Sequence, residues 1–195
     1  MRAAIIVARG GSKRIPRKNL RPFLGKPIIA YSITTARESH LFDRVYVSTE
    51  DSEIADVAHR YGAVELERPT HLAADDVGTP EVMRYHAGIA PCVYASFLCC
   101  IYPTAPMMTV ADLARGLEEL KRYGADYSFS IGTDPLCDAG QWYWGTREAF
   151  ANGRPLFSTD TLMVPIDPER VCDINTEPDW QRAERMYAAL QKAAA

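Results

Sequence analysis

The apolar run Ala3-Ala4-Ile5-Ile6-Val7-Ala8 has the length and unbroken apolarity of a strand buried on both faces, as in a parallel sheet. Beyond it, helical and extended periodicities alternate. Ile28 to Arg37 reads as a helix, Arg44 to Thr49 as a strand, and Ser52 to Tyr61 as a helix with Asp51 or Ser52 at its cap and Gly62 just past its end. A helix near Pro80 to His86, a strand at Ala95 to Ile101 and a helix at Val110 to Tyr123 follow. Thr109 and Asp112 have the spacing of a capping box, and Gly124 ends that helix. Tyr127 to Ile131 and Leu162 to Ile166 read as strands. Thr176 and Asp179 then cap a closing helix with Trp180, Ala183, Met186, Tyr187 and Leu190 on one face. This alternation predicts a mostly parallel, three-layer αβα sandwich of the α/β class, with its ligand crevice at the carboxyl ends of the strands.

Length and composition fit one compact α/β unit, since 195 residues with 47% hydrophobic content can bury a sizeable core and leave little room for a second domain. No run approaches the roughly 18 apolar residues of a membrane span, and charge recurs from Arg9 onward where a signal peptide needs an apolar core. The expected location is cytoplasmic, with no membrane partner. The five cysteines contain no C-x-x-C pair; Cys99 and Cys100 adjoin in a core strand, and Cys92, Cys137 and Cys172 are scattered, so buried reduced thiols are expected.

Charge changes the picture. Arg9, Lys13, Arg14, Arg17, Lys18 and Arg21 follow the first strand with no acidic residue among them, in a chain of net charge -3. A local positive field in an acidic protein is expected to hold an anion. Gly10-Gly11 allow the backbone to turn sharply and present its N–H groups, and Ile15-Pro16 stiffens the loop. Both G-x-x-x-x-G-K-[ST] and G-x-G-x-x-G are absent, which argues against a P-loop ATPase and a dinucleotide-binding dehydrogenase. A basic patch for nucleic acid would show steep salt dependence, but such patches seldom sit in a tight turn after a buried strand, so no nucleic-acid partner is expected.

The block Ala8-Arg9-Gly10-Gly11-Ser12, followed by Lys18-Asn19, resembles the signature of the cytidylyltransferases that activate acidic sugars, the group of the CMP-sialic acid and CMP-KDO synthetases. Gly25-Lys26-Pro27-Ile28, Val47-Ser48-Thr49-Glu50-Asp51, Arg68-Pro69 with Leu72 and Asp75, Tyr102-Pro103-Thr104-Ala105-Pro106 and Asp173-Ile174-Asn175-Thr176 continue it in order. Within the group, the blocks Ser12 to Asn19, Ile101 to Pro106 and Asp138 to Gly145 are most similar to the pseudaminic acid cytidylyltransferases. The resemblance implies a Rossmann-like, GT-A-like nucleotidyltransferase fold in a single domain over 1–195. It also implies transfer of CMP from CTP to the anomeric hydroxyl of a nine-carbon acidic sugar, with pyrophosphate released and Mg²⁺ as cofactor. Sialic, legionaminic or KDO acceptors, and a catalytically silent nucleotide binder, are the alternatives.

Site residues follow from matching positions. The resemblance gives Arg9 and Lys18 the catalytic contacts to the triphosphate, where fixed cations neutralise charge that spreads in transfer. Lys13, Arg14 and Arg17 are either further ligands or solvated flank charges. Gly10, Gly11 and Ser12 shape the phosphate loop, and Ser12 either donates to phosphate or closes the turn. Asn19, Arg68 and Thr79 match nucleotide- and base-contacting positions. Asp75-Asp76 read better as caps or hydrated carboxylates than as metal ligands. Asp173 and Asn175, two apart on an extended segment, point to one side and either hold Mg²⁺ or shape the turn before Thr176.

Tyr102, Thr104, Gln141 and Tyr143 follow strands in blocks like the family's sugar pocket, and Tyr102 stands where the sialic acid enzymes usually have Gln. Trp142 and Trp144 are expected to pack in the core on alternate strand faces. In relatives the stretch after the strand ending near Ile131 is longer and contributes to the acceptor lid and subunit contact. Only Gly132 to Cys137 remains in this chain, a shortened acceptor and dimerisation segment near 132–145. The resemblance still allows a homodimer.

Overall fold

The computed structural model describes residues 1–193. Its strands are β1 (Arg2–Val7), β2 (Pro22–Phe23), β3 (Lys26–Pro27), β4 (Arg44–Thr49), β5 (Val64–Glu67), β6 (Phe97–Ile101), β7 (Tyr127–Thr133), β8 (Leu136–Thr146) and β9 (Thr161–Pro165). Its helices are α1 (Ile28–Glu38), α2 (Ser52–Arg60), α3 (Thr79–Gly88), α4 (Val110–Tyr123), α5 (Arg147–Ala151) and α6 (Glu177–Ala193). Seven strands form one sheet in the order β5-β4-β1-β6-β8-β7-β9, and only β8 runs against its neighbours. The expected mostly parallel α/β sheet is present.

Strand alternation decides the layers. Ala4 and Ile6 of β1 enter a core with Ile29 and Ile33 of α1, Ile54 and Ala58 of α2, and Leu113, Leu117 and Leu120 of α4. Ala3 and Ile5 turn to the other face, where Met83 and Ala87 of α3 and Ala149 and Phe150 of α5 cover them. A third cluster joins Trp180 and Ala183 of α6 to Phe23, Ile28 and Tyr31, with Met186, Tyr187 and Leu190 packed against it, so the apolar face read in the last helix is the one it buries.

The caps match the sequence chemistry. Asp51 accepts from the Ile54 N–H at α2, Thr109 from the Asp112 N–H at α4, and Gly124 closes α4 at φ 61°. Before α6, Asp179 Oδ2 accepts from the Thr176 N–H at 2.8 Å, and the Asp179 N–H reaches Thr176 Oγ1 at 3.4 Å.

Some expectations change. Trp142 and Trp144 share one face of β8, because residues two apart on a strand point the same way, and both pack on α4. Tyr143, between them, faces the opposite core, stacked 5.9 Å from Phe129. Four thiols are buried as expected, but Cys137 is exposed at the start of β8. Gln141 and Tyr143 lie within β8 rather than after it. Only Asp134 and Pro135 connect β7 to β8. Phe129 pairs with Tyr143 and Ile131 with Asp138, so the β8 side carries a bulge containing Gly140 at φ 61°. The short edge strand β5 and the five-residue α5 were not read from the sequence. Among the described residues no helix is long and apolar enough to cross a membrane.

The two tryptophans leave a testable mark. A Cβ on Gly116 of α4 would lie 2.4 Å from two ring carbons of Trp142 and 3.0 Å from Trp144. Gly116→Ala is therefore expected to destabilise the fold by about 1–3 kcal/mol despite its better helix propensity. Denaturant unfolding followed by tryptophan fluorescence measures it, and an unchanged midpoint would contradict the contact.

Candidate active site

β1 leads through α1 to β4 and through α2 to β5 on one side, while α3 returns the chain to β6 on the other side of β1. Strand order therefore reverses between β1 and β6. At such a point the connections leaving the carboxyl ends diverge and a crevice opens. A cleft of about 350 Å³ lies there. Arg9, Ser12, Lys18 and Asn19 line it after β1, Tyr102 and Thr104 after β6, Thr79 from the start of α3, and Asp173 and Asn175 from the segment before α6. Lys13 and Arg14, left open by the sequence, line it too.

Each side chain has a local reason for its position. Lys18 is partly buried and its ammonium donates to the Ile174 carbonyl at 2.8 Å, tying the basic loop to the Asp173–Asn175 segment. Burial pushes its pKa below the ordinary lysine value; Asp173 opposes that shift, and Arg14 and Arg9 add to it. Asn19 is buried and donates to the Arg9 carbonyl at 2.9 Å, so it braces the loop from within. Cys172 and Ile174 are buried while Asp173 and Asn175 face outward, and the Asn175 amide donates to the Asp173 carboxylate. The two side chains share one side, as the extended spacing predicts. Among the described residues no group of three or more His, Cys, Asp or Glu is arranged to hold a metal on its own. A cation at Asp173 would therefore depend on ligand oxygens for most of its shell, as Mg²⁺ commonly does.

The loop glycines differ from expectation. Neither Gly10 nor Gly11 has positive φ; the left-handed residue of the loop is Arg17, at φ 54°. Gly10 is required by proximity: its N–H donates to Glu50 Oε1 at 2.8 Å, and a Cβ would lie 2.3 Å from Asp51 Oδ2. Asp51 is in turn fixed by Arg17, whose guanidinium approaches at 2.5 and 3.1 Å and holds the carboxyl below its usual pKa range. Gly11 has open space around its Cβ direction. Ser12 N–H closes a tight turn onto the Gly10 carbonyl at 3.0 Å.

Other predicted residues are placed elsewhere. Arg68 does not line the cleft; it is buried with Nε donating to Ser48 Oγ at 3.0 Å and Nη2 to the Ser48 carbonyl at 2.8 Å. Ser48 Oγ also meets His86 Nε2 at 2.7 Å, and burial beside the Arg68 charge pushes the His86 pKa down to about 4. A neutral imidazole there avoids a second buried positive charge. Gln141 is buried, donates to the Arg170 carbonyl at 2.7 Å and stays out of the cleft, because the β8 bulge turns it toward the segment before α6. Asp75 does not cap α3, whose N-cap is Gly78 with Glu81 accepting from it; Asp75 instead pairs with Arg9 at 2.9 Å and with Lys13.

Tyr143 lines a second cavity, of about 210 Å³, that shares Thr79 and Tyr102 as a common wall with the cleft. Thr79 Oγ1 and the Tyr102 hydroxyl lie 3.4 Å apart. Met83, Phe150, Leu156 and Phe157 make this cavity largely apolar, and the Tyr143 hydroxyl donates to Asp138 at 2.5 Å within it. Burial raises the pKa of both tyrosines, keeping them neutral hydrogen-bonding groups. Glu50 and Asp51, which brace the phosphate loop at Gly10 and Arg17, were missed as functional residues; only the block Val47 to Asp51 hinted at them.

A basic loop after the first strand of a parallel sheet, facing an Asp-x-Asn segment across a switch point, suits a nucleotide polyphosphate. Residues 3–176 match the family model described as cytidylyltransferase. The chain belongs to the cytidylyltransferase family. Its chemistry is therefore nucleotidyl transfer. The pseudaminic acid cytidylyltransferase of Campylobacter jejuni is 30% identical over 226 aligned positions, spanning 97% of each chain. N-acylneuraminate cytidylyltransferase A of Danio rerio is 28% identical over 94% of this chain and 50% of its own length. In fold, a CMP:2-keto-3-deoxy-manno-octonic acid synthetase solved in complex with CTP superimposes with a TM-score of 0.76 at 14% identity, covering 97% of this chain and 99% of that one.

The two loop glycines separate by experiment. Gly10→Ala forces Asp51 or the loop to move and is expected to weaken CTP binding about tenfold or more, whereas Gly11→Ala stays within about twofold of the parent cytidylyltransferase. Calorimetric titration of CTP decides it; equal effects would remove the Asp51 contact as the reason for Gly10.

Proposed function

We propose that this cytidylyltransferase transfers CMP from CTP to the anomeric hydroxyl of a nine-carbon acidic sugar, with pseudaminic acid as the acceptor, and releases pyrophosphate. The carrying observation is the shared Thr79–Tyr102 wall between the cationic cleft and the aromatic cavity. A highly charged donor and a less polar sugar tail find separate compartments that meet at one pair of hydroxyls. Two relatives that match 97% of the chain at 30% identity act, by name, on pseudaminic acid.

Arg9 and Lys18 are the catalytic cations in this reading. Lys18 is held by Ile174 at a distance that leaves two ammonium hydrogens for phosphate oxygens, and its partial burial strengthens each contact. The Ser12 hydroxyl adds a donor. Asp173 and Asn175 would hold Mg²⁺, which when bound supplies charge neutralisation at the phosphates. Thr79 and Thr104 bring hydroxyls to the nucleotide and sugar, and Tyr102 and Tyr143 face the acceptor. An aromatic surface at Tyr102 packs against the deoxygenated tail of pseudaminic acid without leaving amide groups unpaired, which Gln at that position would risk. The reaction is placed in the cytoplasm, where CTP is available, in one domain with neither nucleic acid nor membrane as partner.

Pyrophosphate release from CTP tests the acceptor. Pseudaminic acid is expected to react well above N-acetylneuraminic acid and KDO, with the preference narrowed about tenfold in Tyr102→Gln. Faster reaction with N-acetylneuraminic acid would overturn the assignment. Lys18→Ala is expected to lower turnover with the preferred acid by about a hundredfold while the chain still folds.

The metal assignment has its own test. Asp173→Asn is expected to raise the Mg²⁺ concentration needed for half-maximal activity far more than Asn175→Ala, because only Asp173 carries charge. An unchanged Mg²⁺ titration in Asp173→Asn would move the site elsewhere.

A further inference from the structure

Two of the cations that line the cleft are already engaged by a carboxylate from another part of the chain. Arg9 Nη1 lies 2.9 Å from Asp75 Oδ1, and the Lys13 ammonium lies against Asp75 Oδ2. Arg9 also donates to the Ala73 and Ala74 carbonyls at 3.3 and 3.1 Å. These contacts hold the stretch from Ala73 to Gly78, which is otherwise largely exposed, across the basic loop. Asp75 has no other role in the fold: it caps no helix and is itself exposed. Asp76, next to it, makes no ion pair among the described residues.

A carboxylate bridging two phosphate-directed cations presents two oxygens where a phosphate would present its own. Exposed or half-exposed ion pairs are weak, so a polyanion with several charges can displace such a pair. The stretch ends on Thr79, which lines both the cleft and the aromatic cavity, so releasing it loosens a wall that donor and acceptor share.

We infer that Asp75 is an internal anion that competes with polyphosphate for Arg9 and Lys13, so that phosphate binding releases residues 73–78 and the return of Asp75 helps expel pyrophosphate. This rests on reading the cleft as the triphosphate site. A carboxylate that merely orients Arg9 for phosphate has the opposite consequence, since its loss would weaken binding.

Calorimetric titration of inorganic triphosphate and pyrophosphate into the full chain, at fixed ionic strength, separates these. Asp75→Asn is expected to tighten both ligands about fivefold, the size of one weak ion pair released from competition. Asp76→Asn makes the same change in net charge and is expected to shift them less than about twofold. Hydrogen exchange at residues 74–78 supplies the second readout: saturating triphosphate is expected to speed it in the parent chain, and Asp75→Asn to show the faster exchange without ligand. Weaker or unchanged binding in Asp75→Asn, or equal gains in the two variants, would overturn the inference while leaving the triphosphate site standing. If the parent chain binds neither ligand, the site reading falls and takes the inference with it.

Discussion

Six cations within thirteen residues repel one another, and that repulsion is the constraint around which the site is organised. At 4 Å a like-charge pair costs about 1 kcal/mol in water and several times that near a protein surface, so an uncompensated loop would unfold or splay. Compensation comes from distant segments. Asp51 and Glu53 hold Arg17, Glu177 holds Arg21, Asp75 holds Arg9 and Lys13, and the Ile174 carbonyl receives Lys18. The partners come from the first turn of α2, the first turn of α6, the stretch before α3 and the strand-like segment before α6. Folding the loop and assembling the site are therefore one event. The Asp75 and Ile174 contacts also hold cations that line the cleft.

These contacts differ in strength. Arg17 and Arg21 reach their carboxylates through two guanidinium nitrogens each, a geometry that fixes orientation as well as distance. Arg21 also lies 4.5 Å over the Trp180 ring, which ties α6 to the loop by a contact that salt screens less. The Asp75 pairs lie at the exposed mouth and are correspondingly easy to exchange for another anion. A rigid base with an exchangeable rim is what a loop needs if it must bind a highly charged ligand and release a charged product.

The sheet and its layers were legible because each depends on local periodicity. β1 is an unbroken apolar run since helices cover it on both faces, and the apolar stripe from Trp180 to Leu190 marks the side of α6 that meets Phe23 and Tyr31. The capping box at Thr176 is local chemistry and holds in the structure, and at Thr109 its first half does, the Asp112 carboxylate taking the Thr109 hydroxyl and Arg170 in place of the Thr109 N–H. What escaped reading depends on pairing across the chain. β5 is four residues at a sheet edge with one buried position, Leu66, too short for a period to show. Gln141 and Arg68 carry the right chemistry for ligands, but the β8 bulge turns one away and Ser48 captures the other. Gly10 was recognised for the wrong reason: its value is closeness to Asp51, a contact that spacing along the chain does not reveal.

The join between the cleft and the aromatic cavity follows from the same topology. β8 is the one antiparallel strand of the seven-stranded sheet, so it delivers Tyr143 and Asp138 beside the carboxyl end of β6 from the opposite direction, and the bulge around Gly140 brings its backbone close to the Tyr102 ring. With only Asp134 and Pro135 between β7 and β8, the hairpin ends close to the sheet and contributes no long cover over Tyr102. The cavity is walled by α3, α5 and the segment from Gly153 to Phe157 instead. Under the proposed acceptor reading, selectivity for one sugar tail over another would come from Tyr102, Tyr143, Asp138 and these apolar neighbours.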